Sequence, residues 1–248
     1  MSWRLRRQIL YLGSFFALLF LVFFFFYKAS QKPSCFDGKQ NQGEEGVDCG
    51  GPCPLDCEVK NLLPPKTNVL PPIIYSKTID LIGLVENPNN KWALNDALAT
   101  FYIYDKFERL KNKVTVGKIA ILPREVRYVV AVSLSKPTYP IGKIELKLDY
   151  GLNNWQKSKI EKMPLEVVNQ KIEYDKNVFS GYISNPTKEY FRNIEIIARF
   201  YDEGRKLVGV TYGRIDLIPP KESVPFALTL PPLENIYNAE TSIHFLSL

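Results

Sequence analysis

The stretch IEIIARFYD, from Ile194 to Asp202, places an apolar residue at every second position. A period of two is that of a β-strand with one buried face. It predicts a buried row made of Ile194, Ile196, Ala198 and Phe200, with Glu195 and Arg199 on the opposite, wetter face. On this register a Phe200→Ala change costs about 3–5 kcal/mol as a core truncation. A Glu195→Ala change then stays within about 0.5 kcal/mol, as for most surface substitutions.

A similar pattern occurs 96–98 residues earlier, which indicates an internal repeat. GLVENP at 83–88 matches GYISNP at 181–186, and GKIAILP at 117–123 matches GRIDLIP at 213–219. When the two copies are aligned, Ala99 corresponds to Ile196 and Phe101 corresponds to Ala198. Exchanging small and large residues in this way conserves the volume of a packed core. The sequence therefore predicts one domain written twice.

Turn signals separate the predicted strands. An Asn-Pro pair closes a strand in each copy, and Asp202-Glu203-Gly204 marks a turn between two strands. Short strands with frequent turn signals and no helical period are typical of β-sandwiches. We therefore expect a mainly β protein with tandem sandwiches at 72–152 and 160–248, each the size of an ordinary domain.

The motif FYIYD, Phe101 to Asp105, resembles the one that names the FxLYD domain, a prokaryotic immunoglobulin-like sandwich. The GLVENP strand, Gly83 to Pro88, is similar to the G-x-V-x-N-P strand of type-2 late-embryogenesis-abundant sandwiches. In the second copy Ala198 replaces the leading Phe of the FxLYD motif. The resemblance implies immunoglobulin-like domains in a membrane-attached, extracytoplasmic protein, and it brings no catalytic residues.

The segment 9–27, ILYLGSFFALLFLVFFFFY, is uncharged and contains seven phenylalanines. A 19-residue helix is about 28 Å long, close to the ~30 Å hydrocarbon core of a bilayer. The segment is longer than the apolar part of a signal peptide, and no small-residue cleavage pattern follows it. Arg4, Arg6 and Arg7 precede it, against Lys28 and Lys32 after it, which favours a cytoplasmic N-terminus at 1–8. We expect a single transmembrane anchor in the cell membrane, with the rest of the chain extracytoplasmic.

The formal net charge of +6 lies mostly in this N-terminal region. The first 33 residues hold five cationic side chains and no acid, so residues 34–248 carry only +1. A nucleic-acid-binding protein is expected to have a clustered basic face. The sequence shows none, and we expect no nucleic-acid partner.

The four cysteines, Cys35, Cys49, Cys53 and Cys57, lie within 23 residues. Outside the cytoplasm an even, clustered set is typical of disulfides, because a short polar segment cannot bury a core of its own. The spacing C-x13-C-x3-C-x3-C fits zinc poorly. Four cysteines allow three pairings, and spacing does not choose among them. We expect a cysteine-rich module at 34–58, followed by an extended proline-rich spacer at 59–71.

Oxygen-bearing side chains stand among glycines between the first two cysteines: Asp37, Asn41, Glu44 and Asp48. Such ligands on a loop that glycines allow to turn could hold calcium, although the spacing is not that of an EF-hand. The alternative is a solvated loop whose side chains cap turns. The stretch from Cys35 to Cys53, which ends in DCGGPC at 48–53, also resembles a module of bacterial surface and secreted proteins, C-x-D-G-x-x-N-x-x-E-x-G-x-D-C-G-G-x-C. This resemblance supports an extracytoplasmic location and implies no reaction.

Catalytic patterns are sparse along the chain. The only histidine, His244, is expected on the solvent face of a final strand, and no nucleophile elbow, metal-binding histidine pair or phosphate loop occurs. We expect a non-enzymatic protein that presents its sandwiches for protein–protein or cell-envelope contacts. Two alternatives remain open: an accessory subunit of a larger membrane complex, and a secreted hydrolase with an unfamiliar site.

Overall fold

The computed structural model describes residues 3–30, 35–41, 43–232 and 236–247. The chain divides into two compact units, Met1–Asn61 and Leu62–Leu248. Ser34, the expected first residue of the cysteine module, lies outside the described residues, as do the first two residues of the expected cytoplasmic segment.

The first unit begins with a long helix, α1 (Trp3–Ser30). Its stretch Arg6–Tyr27 is long and apolar enough to cross a membrane. The described side chains of this stretch are exposed, since no other described residue of the unit covers them. A helix that is apolar all round does not remain in water. The structure thus contains the apolar helix that the sequence predicted, and the helix extends beyond the uncharged segment 9–27 at both ends.

The second unit is built from antiparallel strands. They are β1 (Lys66–Val69), β2 (Ile73–Ile74), β3 (Thr78–Glu86), β4 (Trp92–Asp105), β5 (Leu110–Ile121), β6 (Val126–Ser135), β7 (Ile141–Asp149), β8 (Trp155–Lys157), β9 (Glu166–Glu173), β10 (Val178–Ser184), β11 (Phe191–Tyr201), β12 (Leu207–Ile218), β13 (Ser223–Thr229) and β14 (Asn238–Phe245). Short 3-10 helices occupy Cys57–Asn61 at the end of the first unit and Leu152–Asn154 between β7 and β8. The predicted mainly β fold is confirmed.

The first sandwich consists of two sheets. The sheet that faces the second sandwich, here called the inner sheet, has β3 at its centre, with β1 and β2 on one side and β6 on the other. Its outer sheet has β4 at the centre, with β5 on one side and β7 and β8 on the other. A Cβ at Gly83 of β3 would lie 2.5 Å from Leu146 and 3.3 Å from Phe101, both of the outer sheet. The two sheets therefore approach so closely at this point that only glycine fits.

The second sandwich is also a pair of sheets. Its outer sheet is formed by β9, β10 and β13, and its inner sheet by β11, β12 and β14. The rings of Phe179 on β10 and Phe200 on β11 meet edge to face, with their centroids 5.5 Å apart. Ile194, Ile196, Ala198 and Phe200 are fully buried in this core. The alternation of apolar residues from Ile194 to Phe200 thus predicted the core face of β11 correctly.

The opposite face of β11 does not meet solvent. Ile197 of β11 and Val210 of β12 pack against Ile82 and Val130 of the first sandwich. Glu195 and Arg199 are 6% and 8% exposed, so their predicted placement on a wet face is wrong. The reason is that the inner sheets of the two sandwiches pack on each other. A strand between two such layers is buried on both faces.

The expected spacer at 59–71 needs a correction. Residues 66–69 form β1, which pairs with residues 83–86 of β3. Leu63 exchanges backbone hydrogen bonds with the side chain of Asn89. The chain therefore joins the first sandwich before the proline pair at 71–72. These prolines follow β1 and keep the strand from continuing.

The Asn-Pro turns make matching bonds in both sandwiches. Asn87 and Asn185 are buried, and each side-chain amide donates to three backbone carbonyls at about the same distances: 2.7, 3.0 and 3.5 Å for Asn87, and 2.8, 2.9 and 3.5 Å for Asn185. Asp105 and Asp202 each accept a backbone N–H four residues ahead. These side chains hold turns in place, which explains their occurrence in both halves of the sequence.

Candidate functional sites

All four cysteines are oxidised, as the sequence predicted. Of the three possible pairings the structure has Cys35–Cys53 and Cys49–Cys57. The two bonds interleave along the sequence, because Cys49 lies inside the loop closed by Cys35–Cys53 and its partner Cys57 lies outside it. Such crosslinks restrict the unfolded chain and substitute for the core that a short polar segment lacks.

The four predicted calcium ligands lie close together but bind donors of the loop itself. Asp48 accepts the backbone N–H groups of Asp37 and Gly38 at 2.9–3.2 Å. Glu44, which is buried, accepts those of Asn41 and Asp48. The side chain of Asn41 donates to Asp37 at 2.9 Å, and this bond lowers the pKa of Asp37. These are the contacts of turn-capping side chains.

The described residues contain one tight group of side chains of the types that bind metals. The one group whose ligand atoms lie within 4.8 Å of one another consists of Cys35, Glu44 and Cys53. Its two sulfurs are joined to each other in a disulfide and so are not thiolate ligands. Calcium binding by Asp37, Asn41, Glu44 and Asp48 stays a prediction.

A buried cluster of charges joins the two sandwiches. Arg127 of β6 is fully buried, and its Nη2 donates to Oε2 of Glu195 on β11 at 2.6 Å. Its Nη1 donates to the carbonyl of Ala120 at 2.7 Å and to that of Phe245. One guanidinium therefore binds a carboxylate and a carbonyl of the second sandwich together with a carbonyl of the first, a use that suits its planar, multidentate donors.

His244 belongs to the same cluster. It was expected on a solvent face, but it is 3% exposed and the distance from its Nδ1 to Oε1 of Glu125 is 2.6 Å. Burial lowers the pKa of His244, and the hydrogen bond with Glu125 offsets this only in part. Burial alone would raise the pKa of Glu125, but bonds with His244 and the Leu122 N–H bring it below its ordinary value. Nε2 of His244 has no hydrogen-bond partner among the described residues.

A third charge contact extends the interface. The guanidinium of Arg199 lies over the ring of Tyr128, 3.9 Å from its centroid, and donates to the tyrosine hydroxyl at 2.5 Å. Arg199 also pairs with Glu240 of the neighbouring strand at 3.3 Å. Sequence patterns did not reveal this cluster. The charged residues Glu195 and Arg199 within the apolar strand β11 were the only hint in the sequence. No local pattern tells whether solvent or another sheet covers such residues.

Two openings of the second unit are lined by the segment 70–75. One has a volume of about 570 Å³ and lies between this segment and β7. Another, of about 600 Å³, lies between this segment and residues 206–208 of the second sandwich. Both are lined mainly by apolar side chains. Grooves of this size are candidates for ligand or peptide binding.

Comparisons with known proteins leave the chain without an assigned family. No family model and no curated protein matches it. Among solved structures, the transglutaminase of red sea bream is similar with 10% sequence identity and a TM-score of 0.25. The match covers 70% of this chain and 28% of that protein, so this chain spans a small part of its length. At such a TM-score the similarity supports no conclusion about fold or activity.

Proposed function

We propose that this is a membrane-anchored, extracytoplasmic, non-catalytic protein that presents two tandem immunoglobulin-like sandwiches for protein–protein or cell-envelope contacts. The observation that carries the proposal is the combination of an exposed apolar helix with two disulfides in the same unit. An apolar helix requires a lipid environment, and disulfides persist in oxidising compartments.

The packing of the two sandwiches supports a presenting role. Their inner sheets share the apolar cluster of Ile82, Val130, Ile197 and Val210, with the buried charge cluster beside it. Two domains held together in this way present their loops and free sheet edges in a defined relation to each other. The matching bonds of Asn87 and Asn185 support an origin by duplication of one unit.

Protease protection tests the topology. The chain carries an epitope tag at each end and is expressed in bacterial cells, which are then converted to spheroplasts. Protease added outside should remove the C-terminal tag and leave a small N-terminal fragment intact, because residues 34–248 lie outside the cytoplasm. A cytoplasmic marker protein must stay intact in the same sample.

Full protection in intact spheroplasts, with digestion only after lysis, would contradict the proposed topology. A matched variant adds a second readout. Replacing Arg4, Arg6 and Arg7 by glutamine removes the cationic flank, and a larger fraction of chains should then insert with reversed orientation. Crosslinking in intact membranes, followed by mass spectrometry of the purified chain, would identify what the sandwiches contact.

A further inference from the structure

The groove between the segment 70–75 and β7 has rigid walls. Two prolines line it on one side, Pro71 and Pro72, and two on the other, Pro137 and Pro140. Proline has a fixed φ angle and no backbone N–H, so it interrupts a strand and cannot close the gap by pairing. β1 and β2 are separated at the first pair, and β6 and β7 at the second. The groove therefore remains open, because the prolines on both walls interrupt the strands that would otherwise continue across it.

The first wall is also fixed at both ends. The N–H of Leu70 donates to Ile82 and that of Tyr75 to Thr78, each at 2.9 Å. The hydroxyl of Tyr75 donates to Asp80, a buried carboxylate, at 3.0 Å. A groove whose walls are already ordered costs little conformational entropy when it binds a partner.

The second wall is the free edge of a sheet. Among the described strands β7 pairs with β4 alone, so its other edge has no strand partner. Residues 141–144 of that edge line the groove. An unpaired edge beside apolar pockets is the arrangement by which domains bind an extended peptide as an added strand.

The charged side chains that line the groove are both lysines. Lys136 and Lys143 line it, Lys206 lines the neighbouring opening, and no acidic side chain of the described residues lines either one. Glu145 pairs with Lys143 at 2.5 Å and with Lys147 at 3.1 Å, so one carboxylate is shared between two ammonium groups. Lys136 forms no ion pair with a described acidic side chain, so its charge favours a partner that carries carboxylates.

We propose that this groove binds an extended acidic segment of a partner protein. The segment adds to β7 as an antiparallel or parallel strand, places apolar side chains between the prolines, and directs carboxylates to Lys136 and Lys143. The inference deepens the proposed function, on which it rests, by naming the chemistry of the partner. A lipid chain fits less well, because the groove is open along its length and would leave the chain partly in water.

The test uses the full chain in phosphatidylcholine nanodiscs and a blocked, fluorescein-labelled heptapeptide in which glutamates alternate with valines. We expect saturable binding by fluorescence anisotropy at concentrations up to about 1 mM, with slower hydrogen exchange at residues 141–144. The same peptide with lysines in place of glutamates should bind at least about tenfold more weakly. Lys136→Glu combined with Lys143→Glu should reverse this preference.

Two exposed lysines of the second sandwich region, Lys159 and Lys188, provide the matched control. Lys159→Glu combined with Lys188→Glu should leave the affinity for the glutamate peptide within about twofold, since both sites lie outside the groove. The proposal is overturned by equal binding of both peptides, by no binding, or by equal losses in the two double variants. It is also overturned if soluble dihexanoyl phosphatidylglycerol binds and the peptide does not. Binding in nanodiscs does not depend on orientation in the cell, so failure here is distinguishable from failure of the topology test.

Discussion

Arg127 and Glu195 lie on different sandwiches, and their side chains meet at 2.6 Å with almost no solvent access. Nη1 of the guanidinium also donates to two backbone carbonyls, whereas its buried Nε has no hydrogen-bond partner among the described residues. The pair therefore sets the relative register of two domains that local sequence patterns describe separately.

Removing one partner of this pair should be costly. Glu195→Ala leaves a buried guanidinium without its carboxylate, and we expect a loss of about 3–5 kcal/mol in the free energy of unfolding, measured with urea in detergent micelles. Glu203→Ala, at an exposed turn, is the matched control and should stay within about 0.5 kcal/mol. Arg127→Met combined with Glu195→Ala should cost less than the sum of the single changes, and additivity would exclude a direct interaction.

His244 should make stability depend on pH. Burial lowers its pKa, so the folded protein keeps the imidazole neutral at pH values where the unfolded chain, with its ordinary value near 6.5, binds a proton. The contribution of His244 to the free energy of unfolding is therefore fully present above about pH 6.5. It falls as the pH is lowered further, with a limiting slope of about 1.4 kcal/mol per pH unit. In the His244→Gln variant, the urea midpoint of unfolding should depend less on pH between pH 7.5 and 5.5.

Because the chain has a single histidine, the change in slope can be assigned to it. Glu125 contributes in the same direction, since its pKa is also lowered, but its effect begins at a more acidic pH near its ordinary value of 4.5. An unchanged slope in His244→Gln would show that this imidazole is not buried in the neutral form.

The core face of β11 predicts a different response. Phe200→Ala removes a fully buried ring that contacts Phe179, and we expect a loss of about 3–5 kcal/mol. Tyr190→Ala removes an aromatic ring that is 64% exposed and should cost no more than about 0.5 kcal/mol. Equal shifts of the two unfolding midpoints would refute the register of β11.

The disulfide pairing can be read by mass. Purified under non-reducing conditions, the chain should be about four hydrogens lighter than its reduced form. Cys35→Ser should release one alkylatable thiol, at Cys53, and leave the Cys49–Cys57 peptide crosslinked. A thiol released at Cys49 or Cys57 would establish another pairing, and stoichiometric zinc with four free thiols would replace the disulfides altogether.

The acidic loop gives a fifth prediction. Asp48→Ala removes the acceptor of the Asp37 and Gly38 amides, so both should exchange hydrogen faster. The same measurement in about 10 mM calcium tests the metal hypothesis, because extracellular calcium sites bind with Kd values near 10⁻⁴–10⁻³ M. Slower exchange on adding calcium to the parent chain, lost in an Asp37→Ala, Asp48→Ala variant, would demonstrate a calcium site.

Local sequence determined the features that depend on neighbouring residues alone. The apolar helix follows from an uncharged run of sufficient length, and the core face of β11 follows from the alternation of Ile194, Ile196, Ala198 and Phe200. The oxidised state of the cysteines follows from their clustering. Each of these features is encoded within about 25 residues, so no distant part of the chain is needed to predict it.

The tertiary structure decided what covers the second face of each inner sheet. Alternation shows that the two faces of a strand differ, but it does not show whether the polar face meets water or another domain. Glu195, Arg199 and His244 looked like solvent-facing residues because their partners, Arg127, Tyr128 and Glu125, lie about 70–120 positions away in the sequence. The same holds for the proline groove, whose two walls come from segments about 65 residues apart and become one surface only when the sheets have packed.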